Sequence, residues 1–118
     1  MQSKIGIQTV TIGLRVRSLK ESTAWYEKLL GERPTIEPVP GIREYELTKG
    51  CWLQLIESSS VTPGDSTVRI GIPDVQVMRN RLSGVGIDTG EIIRIEGVIA
   101  RCEFKDPDGN KISLYQLL

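Results

Sequence analysis

Apolar residues alternate with polar ones in a series of short runs along this chain, and two stretches between them show helical spacing. Residues 5–17 (IGIQTVTIGLRVR) are rich in β-formers. Over Ile12, Leu14 and Val16 the alternation is clean, with Thr11, Gly13 and Arg15 on the opposite face. Ser18 then offers an N-cap, with Glu21 three residues on as a capping box needs. An apolar stripe through Tyr26, Leu29 and Leu30 predicts a helix that Gly31 ends. Pro34, Pro38, Pro40 and Gly41 mark a loop or a short edge strand. Residues 42–48 and 51–57 read as two strands joined by a turn at Lys49-Gly50. Leu53 and Leu55 share one face of the second, and Trp52, Gln54 and Ile56 the other.

Residues 58–65 (SSSVTPGD) form the best linker, being polar with Pro63-Gly64 near the centre. After them the order restarts. Residues 66–72 predict a strand. Pro73-Asp74 opens a helix with Val75, Met78, Leu82 and Val85 among its apolar positions, ended by Gly84 and Gly86. Residues 92–96 and 98–104 predict two more strands. The chain therefore reads βαβββ, linker, βαβββ: one domain over 1–118, with a first module at about 5–57 and a second at about 66–118. Leu14, Val16, Leu19 and Tyr26 match Ile70, Ile72, Val75 and Leu82 at a constant offset of 56, about half the chain, as an internal duplication predicts.

The last predicted element is a hairpin. Asp106-Pro107-Asp108-Gly109 is turn chemistry: Pro107 presets φ, Asp106 can hydrogen-bond the nearby backbone, and Gly109 supplies a positive φ. Beyond it Ile112, Leu114 and Leu117 are expected to point one way, and Ser113 and Tyr115 the other.

Composition narrows the chemistry. The 118 residues are enough to bury about two-thirds of the unfolded surface without staples. Fifteen basic and fifteen acidic residues cancel, which removes the electrostatic case for nucleic acid or an acidic membrane. No apolar run predicts a membrane span, and MQSKIGIQTV lacks the layout of a signal peptide, so a cytoplasmic location is expected. Cys51 and Cys102 are isolated and read as free thiols. The sequence contains no histidine, so it has no imidazole ligand, no histidine base and no Ser–His or Cys–His pair.

Two motifs at opposite ends of the chain carry a resemblance. Residues 14–31 (LRVRSLKESTAWYEKLLG) are similar to the first strand and helix of the vicinal-oxygen-chelate superfamily, commonly LxVxDLxxS followed by FYxxVLG. Residues 106–114 (DPDGNKISL) resemble its last hairpin. That superfamily holds the glyoxalases, the bleomycin-resistance proteins and the extradiol dioxygenases. The resemblance implies an α+β fold of two βαβββ modules whose mixed sheets form a cup, with helices on the outer face and homodimers usual. It also implies four metal-ligand positions. They fall on Thr11, Gln54, Val68 (to within one residue) and Ser113. None is anionic and Val68 has no donor atom, whereas zinc, nickel and iron centres want imidazole, carboxylate or thiolate. No metal and no other cofactor is therefore expected. The drug-sequestering resistance proteins are metal-free members that bind ligands in the cup without turning them over.

On this reading Thr11, Arg15, Trp52, Gln54, Ser113 and Tyr115 are the candidate ligand-binding residues, with Gly13, Ile56, Ile70 and Ile72 on the same face. Arg15 could pair with a ligand carboxylate or phosphate, its plainer role being an ion pair with Glu44 or Glu103. Trp52 could stack on a planar ligand or simply pack. The expected function is metal-independent binding of a small molecule, anionic or planar, by a homodimer. The alternatives are a glyoxalase-type lyase or isomerase using carboxylates such as Glu44, Glu46 or Glu103, or a metal site placed elsewhere, and a non-catalytic interaction module.

Overall fold

The computed structural model describes residues 5–61 and 67–118. Residues 62–65 of the expected linker, and Ser66 of the expected strand, lie outside the described residues. The chain divides into two compact units, the first made of residues before 62 and the second of the remainder together with Lys28–Leu30.

In the first unit the elements are β1 (Val10–Val16), α1 (Leu19–Leu30), β2 (Ile42–Thr48) and β3 (Cys51–Glu57), in a sheet of order β1-β3-β2. β1 runs parallel to β3, and β2 is antiparallel to it. The proline-bearing segment before β2 forms no strand of its own. Its only β-bridge to the sheet edge joins Ile36 and Glu44 among the described residues, because Pro34, Pro38 and Pro40 remove N–H donors a ladder needs. In the second unit β4 (Thr67–Gly71), α2 (Val75–Gly84), β5 (Ile93–Ile95), β6 (Ile99–Lys105) and β7 (Lys111–Leu117) give a sheet of order β4-β7-β6-β5. Here too the first strand is parallel to the last.

A parallel pair cannot be closed by a tight turn, so each unit needs a crossover, and the helix supplies it. Both helices start as the sequence predicts. Ser18 Oγ accepts from the Glu21 N–H at 3.2 Å, and Asp74 Oδ1 from the Val77 N–H at 3.0 Å. A second device is shared. Glu57, at the end of β3, accepts the Leu19 N–H at 2.8 Å; Gln116, near the end of β7, accepts the Val75 N–H at 3.0 Å. Each helix is thus tied by a first-turn N–H to the last strand of its own unit. Ser18 and Asp74, like Leu19 and Val75, stand 56 residues apart, so the repeat extends to the caps.

Each sheet buries one face. In the first unit Leu14, Val16, Tyr45, Leu53 and Leu55 are buried, and the Tyr26 ring of α1 lies 6.3 Å from that of Tyr45. In the second, α2 lies against β6 and β7, and Val68, Ala100, Cys102, Ile112 and Leu114 are buried with Val75 and Leu82. The closing turn is held by Asp106, which is 5% exposed. Its carboxylate accepts from the N–H groups of Asp108 and Asn110 and from the Asn110 side chain, at 2.8–2.9 Å. Gly109 sits at φ 85°, where a Cβ would be strained.

Two face assignments made from the pattern are corrected. Leu117 pairs with Ile99 on the face of Ser113 and Tyr115 and is exposed; Gln116 takes the place expected for it beside Ile112 and Leu114. Ile70 lies opposite Leu114 and Val68 opposite Ile112, so both sit on the helix-covered face, away from Ser113 and Tyr115. Ile72 follows the end of β4 and is half-buried. The alternation 68-70-72 was correctly periodic, but strongly apolar positions belong to the face that the helix covers. Both cysteines are free, Cys102 buried and Cys51 half-buried.

Loss of either helix tie should be measurable by urea unfolding: Glu57→Ala is expected to cost about 1–2 kcal/mol and Gln116→Ala about 1 kcal/mol. A pH series tests the burial of two acids. Burial, helped by the Glu27 carboxylate, pushes the Tyr45 phenol up. Burial also pushes the Cys102 thiol up, partly offset by a hydrogen bond with Thr89 and by Arg79. Both groups hold their proton more tightly when folded. Stability should therefore be intact below about pH 8.5, fall above it as the unfolded thiol ionises, and fall further above about pH 10 as the unfolded phenol does. Cys102→Ala should abolish the first decline and leave the second.

Candidate functional site

The register settles which side chains share the helix-free face of each sheet. In the first unit Thr11 lies opposite Trp52, Gly13 opposite Gln54 and Arg15 opposite Ile56; across β3, Glu44 is opposite Gln54 and Glu46 opposite Trp52. Four of the candidate residues, Thr11, Arg15, Trp52 and Gln54, therefore stand together on one face. Gln54 and Trp52 are half-buried, while Thr11 and Arg15 are exposed. Gln54 Nε2 donates to Glu44 Oε2 at 3.0 Å. Gly13 lies beside this pair, and a Cβ there would make ordinary contact with Ile56 Cδ1 at 3.4 Å and Gln54 Oε1 at 3.5 Å.

In the second unit Ser113 and Tyr115 share the helix-free face. Arg69 and Glu103 flank Ser113, and Gly71 and Arg101 flank Tyr115. The Tyr115 ring packs over Gly71, where a Cβ would come within 3.1 Å of Cζ and Oη. The Arg69 guanidinium carbon lies 5.5 Å from the ring centroid, a cation–π geometry. Ser113 is fully buried, and its Oγ has no hydrogen-bond partner among the described residues. A groove of about 420 Å3 runs beside Tyr115, lined by Gly71, Ile72, Pro73, Tyr115, Gln116 and Leu117.

The two faces differ in charge. The first carries Arg15 against Glu44 and Glu46. The second carries Arg69, Arg101, Lys105 and Lys111 against Glu103, which pairs with Arg101. The sequence reading passed over Arg69. Its signal was the offset of 56 from Gly13, a face residue already identified. The same offset from Thr11 gives Thr67, on the Ser113 face, rather than the Val68 that the motif count selected.

The four positions that would hold a metal do not fit one. Thr11, Gln54 and Ser113 offer neutral oxygens or an amide, Gln54 is engaged by Glu44, and Val68 points to the core. Among the described residues no three of His, Cys, Asp and Glu come together as a metal-binding group. Replacing Val68 by its neighbour Thr67 adds one hydroxyl, still no anionic donor.

With two βαβ-rooted units of this topology and these faces in view, comparison with solved structures shows the fold. A glyoxalase/bleomycin resistance protein from Catenulispora acidiphila superposes with TM-score 0.83 over 93% of this chain and 98% of that one, at 21% identity. A bleomycin-binding protein complexed with bleomycin gives 0.73 over 93% and 98%, at 19% identity. Lactoylglutathione lyase from Agrobacterium tumefaciens gives 0.73 over 90% of both chains, at 14% identity. No protein-family profile matches the sequence, and no curated protein matches it. The chain has the α+β fold of the vicinal-oxygen-chelate superfamily, as its two end motifs led one to expect. No helix among the described residues is long and apolar enough to cross a membrane.

The donor set makes a direct prediction. An excess of zinc, nickel or manganese ions should leave the thermal unfolding midpoint where it is in chelator. A saturable rise with any of them would reveal a site that these side chains do not describe.

Proposed function

We propose that this chain is a cytoplasmic, metal-independent binder of a small molecule, working as a homodimer and holding its ligand on the helix-free faces of its sheets. The observation that carries this reading is the chemistry of the faces. Positions that would ligate a metal hold Thr11, Gln54 and Ser113, while half-buried Trp52 and Tyr115 supply flat apolar surface beside polar groups. Such a mixture suits a small organic ligand, fixed by a few polar contacts on an apolar bed. A bleomycin-binding protein of this fold, in complex with its ligand, is a precedent for binding.

In this reading Trp52 stacks on the ligand, Gln54, held by Glu44, presents its remaining amide capacity, and Arg15 attracts a negative group. A second reading rests on Glu44. Its carboxylate sits on the helix-free face beside the position of a family ligand, so a lyase or isomerase could use it as a base.

Native mass spectrometry of gently purified protein tests the first reading. A dimer carrying an organic mass and no metal is the expected result, with Arg15→Ala or Trp52→Ala reducing the retained mass. One metal ion per subunit would overturn metal independence and favour the second reading.

A further inference from the structure

The strongest unassigned feature is the polar half of the second unit's helix-free face. Ser113 is fully buried, yet its hydroxyl has no partner among the described residues. A desolvated hydroxyl without a partner is unfavourable, and such groups are uncommon in folded proteins. Its neighbours on the same face are Arg69, Glu103, Lys111 and Tyr115. Glu103 is engaged by Arg101, and the Arg69 guanidinium is set against the Tyr115 ring rather than a carboxylate among the described residues. So the hydroxyl lies between Arg69 on one neighbouring strand and Glu103, already paired with Arg101, on the other, with Lys111 two residues along its own strand. The groove beside Tyr115 adds apolar surface from Ile72, Pro73 and Leu117.

We propose that this face binds the carboxylate or phosphate group of a small amphiphilic ligand, with Arg69, Lys111 and the Ser113 hydroxyl holding the anion and Tyr115 with its groove holding an aromatic or apolar body. Arg69 is exposed and pairs across the sheet with Ser113, so its guanidinium can leave the ring for a stronger partner held at that serine. A guanidinium binds a planar or tetrahedral oxyanion through two N–H groups, and the serine O–H donates a third bond. The proposal rests on the small-molecule reading above and names the ligand's chemistry.

The test is a 1H–15N correlation titration of the whole chain with benzoate, phenyl phosphate, benzyl alcohol and benzylammonium at matched ionic strength. Saturable shifts centred on Arg69, Ser113 and Tyr115 are expected with one or both anions, at least about tenfold tighter than with benzyl alcohol, and weakening as salt is raised. Benzoate against phenyl phosphate decides between a carboxylate and a phosphate ligand. Arg69→Gln should abolish the preference for anions. Ser113→Ala should weaken anion binding severalfold while leaving the unfolding midpoint equal or higher, since it removes an unpartnered hydroxyl; a merely structural serine would leave binding unchanged. If benzyl alcohol binds there as well as the anions, the anion inference is overturned while small-molecule binding stands. If no probe shifts these residues, the inference is overturned, and an organic mass retained in the native spectrum would still uphold the binder.

Discussion

Parallel pairing of the first strand with the last is the constraint on which each unit depends. β1 beside β3, and β4 beside β7, demand a crossover, and the crossover helix covers one face of the sheet and leaves the other without one. The registers then distribute every side chain between a buried face and a helix-free one. Glu57 and Gln116 fasten the start of each helix to the end of the last strand, so crossover and pairing reinforce one another. One ionised and one neutral acceptor do the same job at equivalent places, which marks the geometry, not the charge, as the common requirement.

Much of this was legible in the chain. Both N-caps, the strands β2 and β3 and the DPDG turn follow from local chemistry: short polar side chains before an apolar stripe, strict alternation, and a proline–glycine turn. The faces of β3 were legible too, since the polar Gln54 separates Leu53 from Leu55. What was not legible were relations between distant residues. A period of two says which of Val68, Ile70 and Ser113 can share a face only once the pairing of β4 with β7 is known. Glu57 and Gln116 look like ordinary strand-end polar residues, because their partners lie 38 and 41 positions away. The position of Arg69 over Tyr115 depends on the missing side chain of Gly71, a consequence of packing that no local pattern announces.

Aligned at the offset of 56, the two units differ where chemistry could differ. Under the repeat, Gly13 and Arg15 of the first unit correspond to Arg69 and Gly71 of the second, so arginine and glycine have exchanged places. One face keeps Glu44 and Gln54 linked beside Trp52; the other sets a buried serine between an arginine and a glutamate, and that arginine against a tyrosine ring. Cores and caps, by contrast, match closely: Tyr26 and Leu82 are both fully buried, and Ser18 and Asp74 cap in the same way. The buried faces answer to packing, which tolerates little. On the proposed reading the helix-free faces answer to a ligand, which constrains them differently.

The central claim is that these faces hold a ligand through side chains alone. The most direct measurement is calorimetric titration of the compound released from denatured protein back into refolded protein, first after exhaustive chelation and then with divalent metal restored. The account predicts the same affinity in both, with one site per subunit. Binding that vanishes on chelation and returns with one equivalent of metal would contradict it.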